Sequence, residues 1–144
     1  EQLATDIELL CQNIKASSNT LFQIRKSSSS VYANIREANY GQSRADMLSK
    51  FEIALKECSE TEGWLQLLFN TKMIEDDTFK KHRNLCGRIQ RMLIASCKTL
   101  KKNINCGRFN QCPTGALSMS KKEEELCALL FVIVRQHIII LSDF

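Results

Sequence analysis

The sequence predicts an all-α fold, an antiparallel up-down four-helix bundle, and three observations carry that expectation. The 144 residues include one Pro and five Gly, too few turn residues to punctuate many strands. Apolar residues recur at helical spacing in four successive stretches. The polar breaks between the stretches are short, so consecutive helices lie antiparallel and bury their stripes against one another. An apolar fraction of 44% and a charged fraction of 25% suit one globular domain and exclude a disordered or fibrous chain.

Leu3, Ile7, Leu10, Cys11 and Ile14 mark one face of a first helix, interrupted at Ala16 to Asn19. The pattern resumes at Leu21, Ile24, Ser28, Val31, Ile35 and Ala38, and the small residues Ser27 to Ser30 point to a close helix approach. Asn39 to Ser43 is a turn, with Gly41 suited to a left-handed helix stop and Ser43 to an N-cap. Met47, Phe51, Leu55, Cys58, Leu65, Leu68 and Phe69 form the stripe of a third and longest helix from Ser43 to about Asn70. After a polar turn, Asp76, Asp77 or Thr78 caps a fourth helix whose buried face is Phe79, Leu85, Cys86, Ile89, Met92, Leu93 and Leu100.

The expected organisation is therefore a bundle over 1–103, an irregular linker over 104–118 containing the only Pro, and an apolar helix or extension over 119–144. Leu126 to Leu141 is strongly apolar but holds Arg135, Gln136 and His137, and it is short of the roughly twenty apolar residues of a membrane span. Packing on the bundle or a neighbouring subunit is expected there, rather than membrane insertion. The cysteine count of seven is odd, and five of them fall inside helical patterns, so reduced thiols in a cytoplasmic protein are expected. The first residues carry neither a basic n-region nor an apolar h-region of an export signal.

Three pieces of the stretch 23–68 carry a family resemblance. They are Gln23-Ile24-Arg25-Lys26-Ser27 with Ser30; Ala33-Asn34-Ile35-Arg36-Glu37-Ala38; and Ser43-Arg44-Ala45-Asp46 leading into Ile53-Ala54-Leu55-Lys56-Glu57 and Glu60-Thr61-Glu62-x-Trp64-Leu65. This stretch resembles the bacterial four-helix-bundle proteins encoded by intervening sequences in 23S ribosomal RNA genes, and the likeness extends over about two thirds of the chain. The resemblance implies a homo-oligomer, typically a pentamer, without enzymatic activity. More distantly, the chain is similar to the accessory variability proteins of diversity-generating retroelements, which implies a reverse transcriptase and nucleic acid as partners.

The net charge is +4, yet its distribution is uneven. Residues 81–103 hold Lys81, Arg83, Arg88, Arg91, Lys98, Lys101 and Lys102 with no acid, whereas 51–80 is rich in Glu and Asp. Two explanations stand side by side. The basic helix tracks a phosphate backbone of RNA or DNA, or its charges pair with the acidic third helix, at Glu52, Glu57, Glu60 or Glu62. Arg25, Lys26, Arg36 and Arg44 form a second basic cluster, which a ring of subunits would repeat. Stacking aromatics are limited to Tyr32, Tyr40 and Trp64, so base-specific reading is not expected. Within the family-like stretch, Asn34, Glu37, Asp46 and Trp64 are read as structural, Asn34 and Glu37 through register or helix-end hydrogen bonds.

No catalytic constellation, cofactor site or small-molecule substrate is expected. His82 and His137 stand apart from any nucleophile elbow, phosphate loop or metal-ligand pair. Cys106 with Cys112-Pro113 fails the four-thiolate spacing of an iron–sulfur site. A zinc site from Cys106, Cys112, Cys127 and His137 requires the tail to fold back, and no metal is expected. A Cys106–Cys112 disulfide is open to oxidising preparations only.

Overall fold

The computed structural model describes residues 1–109, and side chains as far as residue 104. The expectations for the apolar tail, for the Cys106–Cys112 pair, for the zinc set and for most of the linker lie outside the described residues. Four helices follow in order: α1 (Gln2–Asn13), α2 (Ser18–Ala38), α3 (Arg44–Asn70) and α4 (Asp76–Phe109). α1 packs on α2, α2 on α3, α3 on α4 and α4 on α1, while the backbones of α2 and α4 stay more than 8 Å apart among the described residues. The helices thus close a four-membered cycle with α2 diagonal to α4, which is the expected up-down bundle.

The buried residues follow the sequence stripes except at Met92, which is 61% exposed because it lies about 100° around α4 from its buried neighbour Leu93. Leu3, Ile7, Cys11, Ile24, Val31, Cys58, Leu65, Leu68, Ile74, Phe79 and Cys86 form one cluster; Ala38, Phe51, Ala54, Leu93, Cys97 and Leu100 form a second. α1 reaches only the first, because its 12 residues span about 18 Å at 1.5 Å per residue. The small residues of α2 do bring it close to α3: Thr61 Oγ1 donates to Ser27 Oγ at 2.9 Å, with both side chains buried.

Three local features depart from the sequence reading. Gly41 does not adopt a left-handed conformation, and Lys72 is the residue with positive φ, at 56°. α2 instead ends through Asn39, which stays in the right-handed region (φ −68°, ψ −19°). Gly41 is needed for space, since a Cβ there would lie 3.2 Å from the Ala38 carbonyl oxygen and from the Met47 nitrogen. At the end of α3, Lys72 N donates to Phe69 O and Met73 N to Leu68 O, each at 2.9 Å, the pairing of a Schellman motif normally built on Gly. Phe69 and Phe79 stack across this turn with ring centroids 4.6 Å apart. Finally, α4 continues past Asn103 to Phe109, and its 34 residues make it, rather than α3 with 27, the longest of the four helices. Gly107 alone costs a helix about 1 kcal/mol and does not end it, and the first obligatory breaker in the sequence is Pro113.

The cap of α3 agrees with expectation, whereas α4 already begins at Asp76, so that Glu75 rather than Asp76, Asp77 or Thr78 precedes its first turn. Ser43 Oγ accepts from Asp46 N at 3.1 Å, and Asp46 Oδ2 accepts from Gln42 N at 3.1 Å, a reciprocal pair that fixes the start of α3. At the start of α4, the Glu75 carbonyl accepts from Phe79 N at 2.9 Å, and Asp76 and Asp77 stand in the first turn where the helix dipole favours anions.

Candidate nucleic-acid interface

α4 offers its bases to two different surroundings, and the helical period decides which. Phe79, His82, Cys86, Leu93, Cys97 and Leu100 are its buried side. At about 100° per residue, Lys81, Arg88, Arg91, Lys98 and Lys102 fall within an arc of about 100° centred opposite that side. All five are exposed. Among the described residues none of the five has a carboxylate within ion-pair distance. They form a stripe about 30 Å long, measured from Lys81 to Lys102 by the helix rise.

Arg83 and Lys101 share a different azimuth, on the flank that faces α3. Arg83 Nε lies 3.2 Å from Glu62 Oε1, and Lys101 Nζ lies 2.7 Å from Glu52 Oε1. Gln90 Nε2 donates to the other Glu62 oxygen at 3.1 Å. The hydrogen bond to Glu52, and then its charge, raise the Lys101 ammonium above its ordinary value. Among the described residues, the unpaired cations and those paired with α3 therefore occupy separate rows of one helix. Glu60 does not reach α4, because its Oε1 accepts from Trp64 Nε1 at 3.2 Å.

The second basic cluster does not join this stripe. Arg25, Lys26 and Arg36 are on α2, diagonal to α4, and Arg44 is the first residue of α3. Arg25 Nε is 3.0 Å from Glu8 Oε2, a charge contact without hydrogen-bond alignment. The Arg36 guanidinium stands 5.9 Å from the Tyr32 ring centroid. Lys26 and Arg44 are exposed. Tyr40, 81% exposed, also sits at the α2 end, so no aromatic flanks the α4 stripe among the described side chains.

The four motif residues have structural contacts. Half-buried Asn34 bonds within its own helix, its Nδ2 donating to Ser30 O at 2.9 Å, whereas the sequence suggested a neighbouring helix end or a register contact. An Asn inside a helix finds the carbonyl four residues back before any more distant partner. Glu37 pairs with Lys50 of α3, Asp46 belongs to the α3 cap, and Trp64 packs against the first core cluster.

His82 is buried, with Nδ1 2.7 Å from the Thr78 carbonyl oxygen. Among the described residues no three His, Cys, Asp or Glu side chains are grouped to hold a metal, and no helix is long and apolar enough to cross a membrane. Cys58 and Cys86 meet inside the core, where Cys58 Sγ donates to the Cys86 carbonyl at 3.6 Å. The hydrogen bond with Cys58, followed by burial, pushes the Cys86 thiol up and keeps it protonated.

One feature of α4 escaped the sequence reading. Arg83, Asn84, Arg88 and Arg91 surround Gly87, and with Glu62 of α3 they line a recess of about 390 Å³. A glycine among arginines in mid-helix was its only visible sign.

A family model described as 23S rRNA-intervening sequence protein matches residues 1–95. A crystal structure of a protein of unknown function from the S23 ribosomal protein family of Bacteroides thetaiotaomicron has 39% identity and a TM-score of 0.65. The alignment covers 67% of this chain and 93% of that one. No curated protein matches the chain.

Proposed function

The chain belongs to the 23S rRNA-intervening sequence protein family, and on that premise we propose that it is a non-enzymatic bundle that binds structured RNA, or a nucleoprotein, through the outer row of α4. The observation that carries this reading is the stripe of five exposed, unopposed cations, Lys81, Arg88, Arg91, Lys98 and Lys102. A straight cationic row without stacking aromatics suits backbone contact, with affinity from released counterions and little sequence preference. Homo-oligomerisation, as a pentamer by family resemblance, would repeat the row and multiply a weak contact by avidity.

The test is binding of the purified protein to a labelled structured RNA and a duplex DNA of equal length, with its mass in solution measured in the same buffers. The proposal expects binding that weakens steeply with salt and collapses when Arg88, Arg91, Lys98 and Lys102 all become Gln. Absence of binding at low salt overturns it.

The pairing of Arg83 with Glu62 and Lys101 with Glu52 favours a second reading. There the α3–α4 side is a rigid, charge-neutral docking face for a protein partner, such as the reverse transcriptase of a diversity-generating retroelement. Retention of a protein partner by the four-Gln variant, with no nucleic-acid binding by the unaltered protein, would favour it.

A further inference from the structure

The recess on α4 has a more specific chemistry than the stripe that runs past it. Gly87 is its floor. Arg83 and Asn84 precede the glycine by one helical turn, Arg91 follows by one, and Arg88 is adjacent; positions three and four apart on a helix are surface neighbours. With no side chain at 87, the helix backbone is bare between three guanidinium groups. A Cβ built on Gly87 would meet only Arg91 Nη1, at 3.5 Å, so the Arg91 side chain reaches over the glycine.

The wall on the α3 side is fixed. Glu62 accepts from Arg83 Nε through one oxygen and from Gln90 Nε2 through the other. Arg83 also stands 5.8 Å from the Phe79 ring centroid. Glu62 is thereby satisfied at both oxygens and does not present a free anion to the recess. Arg88 and Arg91 have no such partner among the described residues, and their planar forks, with the Asn84 carboxamide, remain available as donors.

The charge sum selects the ligand. Three guanidinium groups and one carboxylate leave a local charge of two positive units. An in-chain phosphodiester carries one negative charge and two free oxygens, whereas a terminal phosphate monoester carries about −1.5 to −2 at pH 7 and three acceptor oxygens. We propose, resting on the nucleic-acid reading above, that the Arg83–Asn84–Gly87–Arg88–Arg91 recess is a seat for the terminal phosphate of a nucleic-acid strand. The strand leaves the open side of the recess along the same outer row, over Lys98 and Lys102 in one direction or Lys81 in the other. Continuity with that row favours a strand end over a phosphorylated peptide.

The experiment compares one RNA duplex in three forms, with a 5′-phosphate, a 3′-phosphate or hydroxyl ends only, against the unaltered protein and Gly87→Gln. Glutamine is a better helix former than glycine at this position, so the variant keeps its helix while filling the recess, which circular dichroism checks. One phosphorylated form is expected to bind about tenfold more tightly than the hydroxyl form, a factor that one net charge-assisted hydrogen bond supplies. Gly87→Gln should bind all three forms equally, at the affinity of the hydroxyl form.

Equal, salt-sensitive binding of the three forms by the unaltered protein overturns this proposal and leaves the stripe as a backbone contact. No binding of any form overturns the nucleic-acid reading itself. Displacement of the preferred RNA by inorganic phosphate at concentrations near that RNA's own Kd also overturns it, and assigns the recess to a free anion.

Discussion

Lys98 and Lys101 stand three residues apart on α4 and are both exposed, yet they should respond to neutralisation in opposite ways. Lys98 belongs to the outer row, whereas Lys101 Nζ is 2.7 Å from Glu52 Oε1 on the α3 flank. Each cation that neutralises a duplex phosphate adds about 0.9 to the slope of log affinity against log salt. The five outer cations therefore set an upper slope of about 4.5, which is about a 500-fold loss of affinity between roughly 50 and 200 mM salt. Lys98→Gln should lower the slope to about 3.6 and that loss to about 150-fold. Lys101→Gln should leave the slope unchanged, because its charge is already offset by Glu52. The assay is fluorescence anisotropy of a labelled duplex titrated with each protein at four or more salt concentrations. Equal changes in slope for the two variants would refute the division of α4 into two rows, and a slope below about 1 for the unaltered protein would refute phosphate contact by the stripe.

Further predictions concern the scaffold. Ser43→Ala removes the acceptor for Asp46 N and should lower stability by about 1 kcal/mol in urea denaturation; an unchanged midpoint would show that the cap is dispensable. Lys72→Gly relieves a left-handed side chain and should raise stability by about 0.5–1 kcal/mol, the left-handed cost less the greater freedom of unfolded glycine. Thr61→Val keeps the shape of a buried side chain but breaks its bond to Ser27, leaving the Ser27 hydroxyl on the Ile24 carbonyl, and should cost about 1 kcal/mol.

Burial raises the Cys11 and Cys97 thiols above 9.0, the ordinary thiol value. Because the folded state holds these protons more tightly than the unfolded chain, their contribution is intact below pH 9.0 and is lost as pH rises through the folded values. Stability should fall from about pH 9 upward, and less steeply in Cys97→Ala, as read from urea midpoints across pH. The ion-paired lysines Lys50 and Lys101 act in a higher window. Hydrogen bonds to Glu37 and Glu52 raise them above 10.5, so their contribution persists to that pH and is lost beyond it.

Much of the bundle was legible before any coordinates. Ile24, Val31, Phe51, Leu65, Cys86, Leu93 and Leu100 lie on periodic stripes and are all buried. Ser43 announced the start of α3 by its chemistry, since a hydroxyl before a helical stripe has a specific amide to accept from. Gly41 was harder to interpret, because a glycine in a turn can mean a left-handed backbone or a close approach, and only the 3.2 Å clearances decide between them. Lys72 gave no sign at all. Its conformation follows from the path that brings Phe69 over Phe79, a contact between two helices.

The chain's own sequence settled that four helices form, which faces they bury, and that α4 is basic along its whole outer half, because each depends on side-chain type and a period of 3.6 residues. It could not assign those bases to partners. That assignment depends on the rotation of α4 against α3, fixed when Cys86, Leu93 and Cys97 enter the core beside Cys58 and Ala54. The same rotation carries Arg83 and Lys101 to Glu62 and Glu52 and turns the other five cations outward. Closure of the helices into a cycle then places the α2 bases diagonally away, so two clusters that look equivalent along the sequence cannot serve one surface of a single bundle.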